Sequence, residues 1–256
     1  IITNGLGGFA SSTIIGANTR KYHGLLVAPL NPPAQRCMLV SKVDESIEID
    51  GVDYKLYTNM CRNYISEGYK YQISFEKEEV PVFKYLLDGI EIEKSICMEY
   101  RKNVSIVLYK IKNSSKKIKL RLTPLLNNRD FHSVSFNKSF FINQTVNNRL
   151  VDVVIDNSNH HIFMNCSEGK YIIKENDSFK NMYYMEEEKR GLASEENHAI
   201  SGYYEIEINP NEEKYITFAC SLDEIKIDRK DGQKIIANEK KRIKQLIDKS
   251  DLKGDE

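Results

Sequence analysis

Four residue types that can recognise a sugar occur close together near the start of the chain. Residues 18–24 read NTRKYHG, so the amide of Asn18, the guanidinium of Arg20, the phenol of Tyr22 and the imidazole of His23 fall within six positions. Planar polar groups donate and accept hydrogen bonds with sugar hydroxyls, and aromatic faces stack against sugar rings. The segment is therefore a candidate binding element.

The geometry of this segment leaves two interpretations open. In a plain strand, alternation sends Arg20 and Tyr22 to one face and His23 to the other, so the group cannot converge. Equally, Arg20 can pair with a carboxylate such as Asp44 or Glu45, with Tyr22 in the core.

A second polar segment, residues 123–132, reads TPLLNNRDFH and gathers Arg129, Asp130 and His132 after a strand. Functional side chains concentrate in loops, and Asp130 with His132 has the composition of an acid/base pair. However, a neighbouring Arg and Asp are common at strand ends. No second catalytic carboxylate at a definable spacing is visible. The residues alone therefore do not predict catalysis.

Other motifs indicate structure rather than chemistry. Gly5, Gly7 and Ala10 match the glycine spacing of a dinucleotide loop, but no full strand precedes them and no helix follows. We interpret this segment as a glycine-rich turn that lets backbones approach closely. The histidines have no metal-ligand spacing and no nucleophile motif is present, so we predict no metal and no cofactor.

The charged residues balance and exclude some classes of protein. The chain has 37 basic and 37 acidic side chains, which argues against nucleic-acid binding by bulk charge. We expect two local charge clusters to be solvated: residues 186–191, which read EEEKRG, and the basic group of Lys116, Lys117, Lys119 and Arg121.

Targeting signals and cysteine usage suggest a compartment. No apolar run approaches the roughly 20 residues of a membrane helix, and no signal peptide is apparent. The five cysteines are scattered without a C-x-x-C pair, as in reduced, buried thiols. We expect a cytoplasmic protein with no membrane partner.

The elements that must position these residues are mainly strands. Alternating apolar residues surround Asp50-Gly51 and Asp88-Gly89, which predicts two hairpins. The runs 104–111 and 118–122 flank a turn at residues 113–115, and Pro124 is expected to end the second run. Further short strands are predicted at residues 140–142, 151–155, 162–164, 171–173, 204–208 and 215–220.

This succession of strands predicts an all-β fold, a large antiparallel β-sandwich. Only residues 233–249 change to helical spacing, with a narrow apolar stripe of Ile236, Ile243 and Ile247 among charged residues. Such a helix is either a lid on the core or the start of a linker. We expect the polar tail, residues 250–256, to fray.

The chain resembles the N-terminal domain of bacterial and archaeal glycogen debranching enzymes of the amylo-α-1,6-glucosidase type. The resemblance rests on TNGLGG at residues 3–8, GANTR at 16–20 and YHGLL at 22–26, and extends to about Cys220. Its later landmarks are Lys42, Glu45, Thr58-Asn59, Glu93-Lys94, Pro124-Leu125, RDFH at 129–132, Arg190-Gly191 and Gly202. One departure is Ser201-Gly202, where the family is expected to have Pro-Gly.

The resemblance implies a supersandwich-like domain that precedes a helical-barrel glycosidase domain. The catalytic carboxylates belong to that barrel, so no catalytic residue is carried over and this fragment alone is expected to be inactive. We expect residues 1–228 to form the sandwich and residues 229–256 to form a helical linker towards a barrel downstream of residue 256. Our hypothesis places one set of motif residues against the barrel or at the rim of its glucan site: Asn18, Arg20, Tyr22, His23, Arg129, Asp130 and His132.

Two other functions remain open at this stage. A stand-alone carbohydrate-binding module would bind glycogen or a related α-glucan without a partner, and a structural or oligomerising domain would bind none. The sequence has no Trp, whereas surface glycan modules usually rely on indole rings. The composition therefore favours a domain that acts through its neighbour.

Overall fold

The computed structural model describes residues 1–228 and 231–250 of the chain. Antiparallel strands dominate it, as predicted, with two helices and a short 3-10 turn at Gly68–Tyr71. The strands are β1 (Ile2–Thr3), β2 (Phe9–Ser11), β3 (Gly24–Asn31), β4 (Ala34–Ile49), β5 (Val52–Lys55), β6 (Met60–Cys61), β7 (Tyr64–Ile65), β8 (Gln72–Lys77), β9 (Pro81–Leu87), β10 (Ile90–Met98), β11 (Val104–Lys112), β12 (Ile118–Asp130), β13 (Ile142–Asn147), β14 (Leu150–Ile155), β15 (His161–Cys166), β16 (Lys170–Tyr183), β17 (Glu195–Ile208) and β18 (Glu213–Ser221). The helices are α1 (Met185–Glu188) and α2 (Asp231–Lys249).

Two large sheets form the sandwich. The first has the order β1-β2-β3-β4-β12-β17-β16, with β5 paired to β4. The second has the order β13-β14-β15-β18-β11-β10-β9-β8. Their facing sides bury one large apolar cluster that includes Leu26, Ile47, Leu122, Tyr204 and Phe218. The predicted all-β sandwich is confirmed.

Both Asp-Gly hairpins form as the sequence predicts. Asp50 and Gly51 have φ angles of 50° and 81°, and Asp88 and Gly89 have 48° and 77°. Two successive positive φ angles are the backbone of a two-residue turn that matches strand twist, and Asp-Gly favours it. These turns join β4 to β5 and β9 to β10.

The connection after Lys112 joins the two sheets, and the strand that follows it is longer than predicted. β11 pairs with β10 and β18, whereas β12 pairs with β4 and β17, so the chain crosses between sheets here. Pro124 does not end β12, because the ladder with β17 is interrupted between Leu122 and Leu126. A proline without an N–H is tolerated at such an irregularity. The strand therefore continues to Asp130.

The glycine-rich start also contains more strand than its composition indicated, because β2, β3 and the last residue of β1 lie within residues 3–33. The interpretation of residues 5–10 as a close-approach turn is confirmed. Gly7 has a φ of 97° and its Cα faces the backbone of Pro33. Asn4 Oδ1 accepts hydrogen bonds from the amides of Leu6 and Gly8 at 2.9 and 3.0 Å.

Helix α2 confirms the change of period at the C-terminal end. Ile236 is buried with Ile106 and Ala219 on the outer face of the second sheet, so the first turns of the helix are packed. Leu246 and Ile247, farther along, are exposed. Residues 251–256 lie outside the described residues, and the linker role of the helix stays a prediction.

The basic cluster and the cysteines agree with the predictions made for them. Every lysine and arginine of the basic cluster pairs with carboxylates; Arg121, for example, contacts Glu48, Asp53 and Glu205. All five cysteines are free, and four of them are buried. No helix of the described residues is long and apolar enough to cross a membrane.

Candidate functional site

The first motif segment folds as a turn rather than as a strand. The amide of His23 donates to the carbonyl of Arg20 at 3.0 Å, and His23 Nδ1 accepts the amide of Thr19 at 3.1 Å. Burial, and next the Arg20 cation, lower the pKa of His23 to about 4. A neutral ring is therefore available to accept that hydrogen bond.

Asn18 and Arg20 tie this turn to the rest of the domain. Asn18 is buried and donates from Nδ2 to Ser41 Oγ at 3.0 Å. Arg20 does pair with a carboxylate, but the partner is Glu187 of α1, at 2.8 Å, and not Asp44 or Glu45. The expectation of a solvated run at residues 186–191 is wrong at Glu187, which is fully buried. Burial is feasible because the Arg20 cation compensates its charge.

The second motif segment is anchored by a buried ion pair under the turn. Arg129, at the end of β12, donates from both Nε and Nη2 to the two carboxylate oxygens of Glu196, with a Nη2–Oε2 distance of 2.8 Å. Nη2 also donates to the carbonyl of Lys21 at 2.7 Å. Arg129 therefore joins β12, β17 and the first motif turn.

Glu196 is the centre of this network. Its carboxylate accepts hydrogen bonds from the Tyr184 hydroxyl at 2.5 Å, the Ser135 amide at 3.0 Å and Asn127 Nδ2 at 3.2 Å. Burial raises the pKa of Glu196, but the charge interactions with His198 and Arg129 and the hydrogen bonds from Arg129 and Tyr184 together hold this pKa below its usual range. An ionised carboxylate is thus fixed inside the protein.

His198 completes the buried network two residues along β17. Its Nδ1 lies 3.3 Å from Asn127 Nδ2, and its Nε2 lies 3.3 Å from the Tyr184 hydroxyl. Burial lowers the pKa of His198 to about 4, which outweighs the opposite effect of Glu196. The ring is neutral at physiological pH.

We expect the neutral His198 to make stability depend on pH. Between pH 6.5 and about 4 the unfolded chain binds a proton that the folded chain does not, so stability falls as pH falls. Between pH 7 and pH 5 this contribution is about 2 kcal/mol. Urea unfolding at the two pH values should show a smaller loss for His198→Gln than for the wild type. Equal losses would contradict this assignment.

An aromatic patch lies over the network at the surface. We use this name for Phe9, Tyr22, Phe131 and His132. The Tyr22 ring meets those of Phe131 and His132 edge to face at 5.7 Å, and its hydroxyl lies 3.2 Å from His132 Nδ1. Phe9 extends the patch, 6.4 Å from Phe131. His132 is exposed, and the other three rings are half-buried.

Three cations surround the patch. Arg20 lies over the Tyr22 ring at 5.3 Å, and Arg36 lies over Phe131 at 5.5 Å. Lys21 Nζ donates to the carbonyl of His132 and so links the two motif segments directly. The turn makes this convergence possible, whereas strand alternation would have prevented it. Tyr22 is accordingly a surface residue, not a core residue.

Asp130 and His132 do not form an acid/base pair in this structure. Asp130 Oδ1 accepts the backbone amide of His132 at 2.8 Å, which is a turn contact and leaves the imidazole to Tyr22. Among the described residues, no group of three His, Cys, Asp or Glu side chains could hold a metal ion. The arrangement is suited to stacking and hydrogen bonding.

Comparison with known protein families identifies the chain. Residues 1–215 match the model described as "Glycogen debranching enzyme N terminal". The chain belongs to this family. The match includes both motif segments, α1 and the start of β17, and hence the whole buried network of this debranching-enzyme N-terminal domain. A search of curated proteins gives no match.

The fold of this debranching-enzyme N-terminal domain also occurs in a solved structure. A bacterial glucoamylase complexed with acarbose matches with a TM-score of 0.52 and 16% identity, over 94% of this chain and 38% of that one. A putative kojibiose phosphorylase from the human microbiome matches with a TM-score of 0.40 and 13% identity, over 84% of this chain and 26% of that one. The chain spans less than two-fifths of the length of either structure.

The sequence interpretation of this debranching-enzyme N-terminal domain missed Tyr184, Glu187, Glu196 and His198. Glu196 and His198 are two residues apart, and so are Asn127 and Arg129. This spacing puts each pair on one face of its own strand, and the contacts of Arg129 with Glu196 and of Asn127 with His198 bring the two pairs together. Two pairs of polar residues, each at positions i and i+2, were the feature of the sequence that could have indicated this network.

Proposed function

We propose that this chain is the non-catalytic N-terminal domain of a glycogen debranching enzyme of the amylo-α-1,6-glucosidase type. In this proposal a separate helical-barrel domain of the same polypeptide hydrolyses the α-1,6 branch points of glycogen. The aromatic patch packs on that barrel and helps to shape the rim of its glucan site. Membership of the family supports the assignment, and the fold likeness to the glucoamylase is consistent with it.

The observation that carries this proposal is the rigid support under the patch. Arg129 is bonded to Glu196 below and to the carbonyls of Lys21, Asp130 and Phe131 above, so both motif turns are held in one position. Aromatic residues and arginine are the side chains most enriched at protein interfaces. A fixed surface of this composition is suited to docking with little loss of entropy.

The carboxylates around the patch have structural contacts, which supports a non-catalytic role. Glu187 pairs with Arg20, Glu196 pairs with Arg129, and Asp130 binds a backbone amide. A glycosidase needs two carboxyl groups facing a substrate across a bond. We therefore assign no catalytic residue in this chain.

The exposed second part of the C-terminal helix also supports the proposal of a further domain. Leu246 and Ile247 are more than half exposed, although the first turns of α2 are packed on the second sheet. We propose that this second part of α2 leads into the barrel and packs against it. We also propose a cytoplasmic location, which the free cysteine thiols support.

The docking proposal predicts the effect of two patch variants. In the chain joined to its catalytic domain, Arg20→Ala and His132→Ala should each lower kcat/KM for a branched limit dextrin by about tenfold, because the rim loses a fixed contact worth about 1.4 kcal/mol. Steady-state kinetics, with circular dichroism to check folding, measures this.

A matched control is His161→Ala, because His161 is an exposed histidine on the second sheet, bonded to Asp152. It should leave kcat/KM unchanged. Unchanged kcat and KM for both folded patch variants would contradict the docking role. If the chain by itself binds maltooligosaccharide in calorimetry and loses this binding in His132→Ala, the patch is instead a glucan-binding surface of a stand-alone module.

A further inference from the structure

A cavity of about 270 Å³ lies between the two sheets, and none of the aromatic-patch residues lines it. Its walls come from β2, β3 and β4 of the first sheet and from β8–β11 of the second. Several wall residues are both buried and apolar, such as Leu25, Val43, Leu56 and Phe83. An apolar cavity of roughly 150 Å³ is enough to bind benzene in other proteins, so this one can accommodate a small ring.

Two buried polar groups of the cavity lining retain hydrogen-bonding capacity. Tyr85 is only 6% exposed, and its hydroxyl has no hydrogen-bond partner in the part of the chain that the structure describes. Glu45 receives the Tyr109 hydroxyl at 2.7 Å and Lys94 Nζ at 2.6 Å, and both contacts fall on Oε1. Oε2 of Glu45 is therefore available to a ligand.

The buried charged groups of the cavity lining are already occupied, whereas Lys77, which also lines the cavity, is exposed. Lys94 neutralises Glu45, and Lys42 is occupied by the carbonyls of Gly16 and Thr58 and by Asn59 Oδ1, at 2.8–3.0 Å. A charged ligand group beside Glu45 and Lys42 would therefore be desolvated without a free buried counter-charge. The lining is accordingly suited to an uncharged head group.

One side of the cavity is bordered by an apolar turn. The amide of Gly16 donates to the carbonyl of Thr13 at 3.0 Å, which places Ile14 and Ile15 at the centre of the turn, 63% and 37% exposed. Turn centres usually carry Gly, Pro, Asn, Asp or Ser, so two isoleucines are unusual there. They give the cavity an apolar rim.

We propose that this cavity binds a small uncharged molecule with an apolar ring or alkyl body and one hydroxyl group. The body occupies the apolar walls, and the hydroxyl donates to Glu45 Oε2 and accepts from the Tyr85 hydroxyl. This site is separate from the aromatic patch and does not depend on the function proposed above.

Isothermal titration calorimetry with three ligands of one ring tests the head group. Benzyl alcohol should bind the chain saturably with one site, and benzoate and benzylammonium should bind at least fivefold more weakly. Tighter binding of either charged ligand would overturn the proposal. So would the absence of binding by benzyl alcohol to folded protein, or displacement of benzyl alcohol by maltose.

A conservative variant tests the hydroxyl contact. Tyr85→Phe removes one neutral hydrogen bond, so its affinity for benzyl alcohol should fall about fivefold while its affinity for toluene stays the same. The matched control is Tyr204→Phe, because the hydroxyl of this buried tyrosine donates to the carbonyl of Arg149 and does not line the cavity. Unchanged affinity in folded Tyr85→Phe would overturn the contact.

A measurement on the wild type needs no variant. Two-dimensional NMR during the benzyl alcohol titration should shift amide signals of Val43, Glu45, Tyr85 and Lys94 more than those around His132. Shifts confined to the region of His132 would place the ligand on the aromatic patch and overturn the proposal.

Discussion

Replacing Arg129 with alanine should lower the free energy of unfolding by about 3–5 kcal/mol, because removing one partner leaves the Glu196 charge buried and uncompensated. Arg129 is only 6% exposed and Glu196 is fully buried, so water cannot replace the lost contacts. The carbonyl of Lys21 also loses its 2.7 Å donor. Urea denaturation followed by circular dichroism, with linear extrapolation to water, measures the change.

A matched control lies on the same strand. Arg121 contacts Glu48, Asp53 and Glu205, but its side chain is 26% exposed. Partly exposed ion pairs contribute little, so Arg121→Ala should cost about 1 kcal/mol. Similar losses in the two variants would show that burial does not set the strength of the Arg129 pair.

A comparison of Arg129→Ala with Arg20→Ala also separates a structural role from a docking role. Arg129→Ala should disorder both motif turns at once, since the guanidinium joins Lys21 to Phe131. Arg20→Ala should also leave the buried charge of Glu187 without its partner. Its effect on the turns should be more local, because the side chain of Arg20 contacts Glu187 of α1 and the Tyr22 ring. The two variants should therefore have distinguishable effects on the docking proposed above.

Local patterns predicted the parts of the fold that depend on near neighbours. Asp50-Gly51 and Asp88-Gly89 set two turns by their own backbone preferences, and both hairpins form. Pro124 was misleading, since a proline is compatible with a strand where the partner ladder is interrupted. The crossover after β11 depends on which sheet each strand joins, and alternation within a strand does not specify that choice.

The sequence indicated which two segments to consider as a candidate site, but it did not indicate most of the contacts between their residues. Both motif segments come together, and Tyr22 meets His132 although they are 110 positions apart. The burial of Glu187 was not predictable from its run of three glutamates, because composition cannot indicate which one an arginine 167 positions away will meet. Long-range pairing of this kind is set by the packing of the loops over the first sheet.

The glycine-rich turn also supports the aromatic patch, on a different side from Arg129. A substitution in this turn is therefore the second change for which we expect a large effect. Gly7 has a φ of 97°, and a Cβ there would lie 2.7 Å from the carbonyl oxygen of Pro33. Gly7→Ala should lower the free energy of unfolding by about 3 kcal/mol, from left-handed backbone strain together with this overpacking. Urea denaturation again measures the loss.

Gly16→Ala is the control for this variant, since Gly16 has a φ of 70° but no atom within 4 Å of its added Cβ. It should cost about 1 kcal/mol, the backbone strain alone. The difference between the two losses measures the contribution of the contact with Pro33, and equal losses would contradict a close-approach role for Gly7.

The carbonyl of Gly7 also accepts a hydrogen bond from Arg36 Nε at 2.6 Å, and Arg36 lies over Phe131. A displaced Gly7 should therefore loosen the aromatic patch as well, which an altered His132 ring signal in the NMR spectrum of the variant would show.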